Sequence, residues 1–258
     1  MLRLNKILLT GVVAASLYAT AATASVTRVT EANFEASAGL ITFSEFSLNT
    51  INPTYAPANY GGGAGSPTVT FGGFFQGQSL SATPGVDCPG AAASACVVGT
   101  PTGALSLDAS SPDTFITTDG SNPTSPVLSG NPRFNGPIAV LFSEDQFGVG
   151  FDGGFFNAAN STAITAFARD GSLIGSVENI GLGIEFLGLV SATENIAGVF
   201  LDLVGAEPFG FAIDNIRFGR RGDINPPTSI IPLPAALPMF VAGLGVLGIA
   251  GYRRRKKS

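Results

Sequence analysis

Ten short runs rich in Phe, Ile, Val and Thr occupy the chain between Leu40 and Phe218. They are 40–46, 68–75, 115–118, 138–142, 147–151, 163–168, 173–177, 185–190, 196–204 and 209–218. Clusters of Gly, Asn, Asp and Pro separate them, and no stretch repeats apolar residues at helical spacing. Such punctuation predicts an all-β fold, and ten strands suit an antiparallel β-sandwich. The body expected to form it, residues 25–222, is long enough to bury a proper core.

Local chemistry adds detail. Asp170-Gly171 between two runs predicts a hairpin. Glu144-Asp145, between two other runs, also reads as a hairpin turn. Eleven of the 17 prolines fall between Pro53 and Pro137, so residues 50–137 are expected to be loop-rich with a few strands. Gly61-Gly62-Gly63-Ala64-Gly65 lies there and reads as a flexible turn, because its spacing does not match a nucleotide-binding fingerprint. Asn160-Ser161-Thr162 fits a glycosylation acceptor pattern and marks an exposed turn at most. In the last run Phe209, Phe211 and Ile213 share one parity, whereas Ile216 and Phe218 fall on the other. All five reach one core only if the strand bulges near Asp214-Asn215; the alternative is a strand buried on both faces. A bulge would bring unpaired backbone groups beside a carboxylate, an arrangement suited to a cation.

The two ends differ from the body. Arg3 and Lys6 precede a mostly apolar stretch, Ile7 to Leu17, and Ala22-Thr23-Ala24 is a small-x-small cleavage pattern. Residues 1–24 therefore read as a signal peptide, an apolar helix removed so that the chain starts near Ser25. At the other end, residues 223–231 read as a Pro-rich linker and 232–258 as a tail. Pro232-Leu233-Pro234-Ala235-Ala236-Leu237-Pro238 leads into an apolar run from Met239 to Gly251, followed by five cationic residues at 253–257. That run alone would span about 20 Å as a helix, short of a hydrocarbon core of about 30 Å. Counting from Ile230 makes a transmembrane helix just long enough. The cationic stop, including Arg253, Arg254 and Arg255, should stay cytoplasmic and leave the body on the far side.

This tail resembles the PEP-CTERM sorting signal of Gram-negative bacteria that make extracellular polysaccharide. The resemblance covers about 27 residues, with Leu233 where the family usually has Glu between Pro232 and Pro234. It implies export through the inner membrane and transient anchoring there. An exosortase-type membrane enzyme would then process the tail and deliver the protein to the cell surface or biofilm matrix.

Composition narrows the function. Seven of the 13 basic residues lie in the two ends, leaving six against 18 acidic residues and a net charge of −12 between them. Such a surface repels nucleic acid and suits solubility or divalent cations. The only cysteines, Cys88 and Cys96, would face an oxidising compartment after export and read as a disulfide. With no histidine there is no Ser-His-Asp or Cys-His arrangement, and nothing selects a carboxylate pair for hydrolysis, so the chain does not read as an enzyme.

A second resemblance is to secreted jelly-roll sandwiches of the carbohydrate-binding-module kind. Three segments carry it: Ile41-Thr42-Phe43-Ser44-Glu45, Phe167 to Gly175, and Phe211-Ala212-Ile213-Asp214-Asn215-Ile216. It implies that the first and last strands meet and hold a structural calcium, with Glu45 and Asp214 as candidate ligands. A structural or adhesive surface protein is the leading reading. A module binding extracellular polysaccharide is the alternative, with Tyr55 and Tyr60, the only tyrosines of the body, as a small platform in a Pro/Gly-rich loop.

Overall fold

The computed structural model describes residues 26–227. In chain order its strands are β1 Val26–Val29, β2 Gly39–Ile41, β3 Thr54–Tyr55, β4 Val69–Gly72, β5 Gln78–Leu80, β6 Val97–Gly99, β7 Thr114–Asp119 and β8 Asn122–Gly130. They continue with β9 Ala139–Gln146, β10 Gly148–Phe156, β11 Thr162–Phe167, β12 Leu173–Glu178, β13 Gly183–Ser191, β14 Ile196–Leu203 and β15 Ala212–Gly219. One sheet runs β1-β13-β10-β15-β8-β7, with β2 also on β15, and the other runs β12-β11-β14-β9-β4-β3. The strand pairs of both sheets are antiparallel, giving an all-β sandwich. The expected signal peptide and sorting tail, with their helices, lie outside the described residues. Among the described residues no helix is long and apolar enough to cross a membrane.

The core lies between the two sheets. Ile41, Phe43, Val149, Phe151, Leu187, Leu189 and Phe211 from one side meet Phe71, Val140, Phe142, Ile164 and Leu201 from the other. Phe43 and Phe71 pack edge-on at 5.5 Å between ring centroids. Each fully buried Phe contributes on the order of 2–3 kcal/mol. A second apolar cluster covers the back of β9 and β14, where Phe75, Val97 and Leu105 meet Phe167 and Phe200. The β5–β6 hairpin and its flanks form this cover, so β14 is buried on both faces and its sequence reads as a continuous apolar run.

One turn forms as expected and several other expectations change. The Asp170-Gly171 hairpin joins β11 to β12, with Gly171 at φ +83° and the Asp170 carboxylate accepting from Ser172 N at 2.9 Å. Glu144 and Asp145 form no hairpin turn: they lie in β9, and the chain then crosses to β10 in the other sheet. Asp145 instead pairs with Arg169 at 2.6 Å. The long run 40–46 forms a strand only to Ile41, because Phe43 takes φ +57°. Ser161 and Thr162 are fully buried, so only Asn160 of that tripeptide is exposed. The packed body also continues past residue 222. Ile224 is buried against Phe34, and Asn225 N donates to Asn33 O at 2.8 Å, so the expected linker begins as part of the domain.

Candidate functional site

β15 organises the polar chemistry. On one edge it pairs with β2 at Ile216–Phe218 and with β8 at Ile213, leaving Asp214 and Asn215 at the changeover. On its other edge the register to β10 slips between Gly150–Arg217 and Asp152–Asp214. Asn215 takes φ +49° there. This bulge returns Ile216 and Phe218 to the core beside Phe211 and Ile213. Phe209 does not join them; it is 76% exposed, because the strand begins only at Ala212.

Asp214 is buried beneath the bulge. Its carboxylate accepts from Asn215 N at 2.7 Å and from Asn122 Nδ2 at 2.8 Å. Burial pushes its pKa up, against the hydrogen bonds from Asn215, Asn122 and Ser125, and the charge of Asp152 adds to the rise. Glu45 follows β2. Its Oε1 accepts from Thr42 N at 3.0 Å and Thr42 Oγ1 at 2.9 Å, whereas its Oε2 is buried with no hydrogen-bond partner. The Tyr55 hydroxyl is likewise buried and unpartnered. Burial raises its pKa, and the charges of Glu45 and Asp214 raise it further, which brings the three groups into one polar neighbourhood. Among the described residues no group of three or more Cys, Asp and Glu stands in position to hold a metal ion.

The expected Tyr55–Tyr60 platform does not form. Tyr55 is fully buried, packed among Phe43, Phe46 and Phe71, because β3 turns its side chain into the core. Tyr60 is half-buried and lines a cavity of about 480 Å³. Its ring packs edge-on to Phe218 at 5.2 Å, and its hydroxyl donates to Pro67 O. Burial pushes the phenol up to about 12. The glycine-rich turn 61–65 folds over this ring to form one wall. Gly62 permits that approach, since a Cβ there would lie 2.6 Å from the Tyr60 ring. Gln146, 1% exposed, also lines the cavity, as do Ser37, Arg220 and Asp223.

A second cavity, about 270 Å³, opens where Phe155 and Phe209 are exposed beside Phe134 and Asn157. The Phe155 ring lies over Gly183, whose sequence neighbours Leu182 and Ile184 are also exposed. Phe155 and Phe209 make an exposed apolar ridge at this cavity, beside the end of β10 and the start of β15. Sequence parity alone assigns Phe209 to the core and gives no sign of the ridge. Gln146 and Arg220 had no local motif either; tertiary pairing alone brings them to Tyr60. The Cys88–Cys96 disulfide is present, buried in the main core, with Cα atoms 5.8 Å apart.

No protein-family model, curated protein or solved structure matches this chain.

Proposed function

We propose that the chain is an exported protein, sorted by a PEP-CTERM-type tail to the cell surface or polysaccharide matrix of a Gram-negative bacterium. Its jelly-roll-like sandwich serves there as a structural or adhesive module. Pro232, Leu233 and Pro234, followed by the apolar run and Arg253 to Arg255, would engage the inner membrane and an exosortase-type enzyme. The observation that carries the adhesive role is the exposed ridge of Phe155 and Phe209. Contiguous exposed apolar surface marks contact with a partner. Fractionation and intact mass of the wild type and the Phe155→Ser/Phe209→Ser variant test this reading. The wild type should begin near Ser25, end near Pro232–Pro234 and stay with the matrix, while the variant is released to the medium. A full-length C-terminus in the membrane fraction refutes sorting, and equal retention of the variant refutes the ridge.

A structural calcium belongs to the same proposal. The buried, unpartnered Oε2 of Glu45 supports it, as does the Tyr55 hydroxyl on which both Glu45 and Asp214 act; β2, from the first of the ten runs, lies alongside β15, although β1 before it pairs with β13. Calcium takes six to eight oxygens, so backbone carbonyls and water would complete the shell. Calcium should raise the melting temperature of the wild type and leave Glu45→Gln unchanged. A wild type indifferent to both calcium and chelator rules the ion out.

A second reading, a glycan-binding module, is favoured by the cavity at Tyr60. It combines an aromatic wall, a buried amide and a charged rim, the mixture that orients a small polar ligand.

A further inference from the structure

Six arginines fall within the described residues, and five are committed. Arg28 pairs with Glu185, Arg169 with Asp145, and Arg217 with Glu31. Arg133 donates to Thr118 O and lies over the Phe134 ring. Arg221 donates to Ala192 O at 2.7 Å and lies over the Phe147 ring. Arg220 differs. Among the described residues its guanidinium makes no hydrogen bond, and its one ion-pair contact, to Glu194, is long at 3.8 Å. It stands on the rim of the cavity that Tyr60 lines, where a Cβ on Gly65 would be 3.8 Å from its Nη1. The other charged group of that rim, Asp223, is occupied: it accepts from Ser37 Oγ at 2.8 Å and from Arg220 N at 3.0 Å.

We propose that this cavity binds a carboxylate-bearing saccharide, a uronic acid residue, whose ring lies against Tyr60 and whose carboxylate pairs with Arg220. The inference rests on the glycan-binding reading and adds the ligand class. A guanidinium presents a planar fork that matches a carboxylate with two parallel hydrogen bonds. A neutral sugar would leave that fork unused. Gln146, whose Nε2 donates to Glu144 O at 2.8 Å, lines the same cavity with its buried side-chain amide, which has a second N–H and a carbonyl oxygen suited to hydroxyl groups. The acidic body opposes densely charged polyanions, so a single uronate, or one spaced by neutral sugars, fits better than a polyuronate block.

Calorimetric titration of the full-length protein in detergent with sodium glucuronate, glucose and sodium acetate tests the assignment. Glucuronate should bind with a dissociation constant on the order of a millimolar, glucose and acetate each about tenfold more weakly. Added salt should weaken glucuronate alone. Arg220→Gln, an exposed change that leaves the melting temperature unaltered, should bring glucuronate down to the level of glucose. Equal binding of glucuronate and glucose by the wild type overturns the uronate assignment, as does an undiminished preference in Arg220→Gln. If glucose then binds in a way that Tyr60→Ala abolishes, the broader glycan reading survives while this inference falls. Acetate binding as tightly as glucuronate identifies a bare carboxylate site and overturns the saccharide. No heat from any probe up to about 50 mM overturns both.

Discussion

Glu207 shows how far a single side chain can depart from what its letter suggests. It is fully buried, and its carboxylate accepts from Asn157 N at 3.1 Å and Ser161 Oγ at 2.9 Å. Burial raises its pKa, outweighing both hydrogen bonds. Asp202 is raised by burial alone. A carboxyl group whose folded-state pKa lies above its unfolded value binds more protons when folded. Above the unfolded value, about 4 to 4.5, stability therefore falls as pH rises toward the raised folded value. Asp108 and Asp170, lowered by hydrogen bonds from Ser110 and Ser172, are exposed and act only below that window. The melting temperature should be higher at pH 5 than at pH 7.5, with a shallower dependence in Glu207→Gln. A lower value at pH 5 contradicts this. The sequence offers no sign of such burial, because Glu207 sits beside Pro208 in what reads as a polar turn between two apolar runs.

Among the elements, the Cys88–Cys96 bridge is the simplest to weigh. It closes a loop with a sequence separation of 8, beside the one-turn helix at Pro84–Asp87. Chain entropy for a loop of that length gives about 2–3 kcal/mol. Replacing both cysteines with serine should lower the melting temperature by roughly 5–10 °C in a domain of this size. An unchanged melting curve would mean that the surrounding packing holds the loop by itself. The pairing was legible because only two cysteines exist. The hairpin β11–β12 was legible because Asp-Gly fixes its turn. β8 was not: Pro123 and Pro126 argue against a strand, and the sheet accepts them because β15 pairs with β8 only at Ile213–Leu128. β9 and β10 carried the right pattern, yet their assignment to different sheets depends on long-range pairing that no local run encodes.

At the scale of the molecule, apolar punctuation determines the class of fold, whereas the candidate sites depend on how distant segments meet. The jelly-roll resemblance points to Glu45 and Asp214 as a pair, and the sandwich brings both near Tyr55. Sequence proximity pairs Tyr60 with Tyr55, whereas Arg220 and Gln146 reach it through the β2–β15 pairing and the end of β9. The position of β15 has one more consequence. It is an interior strand, held by β10 on one edge and by β2 and β8 on the other, and the described chain ends only a few residues beyond it. A pull from the C-terminal side first meets the Phe34–Ile224 bridge and then draws on β15 along its own axis. The hydrogen bonds of both neighbouring ladders then resist together in shear, rather than opening one after another like a zip. Load entering at residue 227 would thus be shared by two ladders at once.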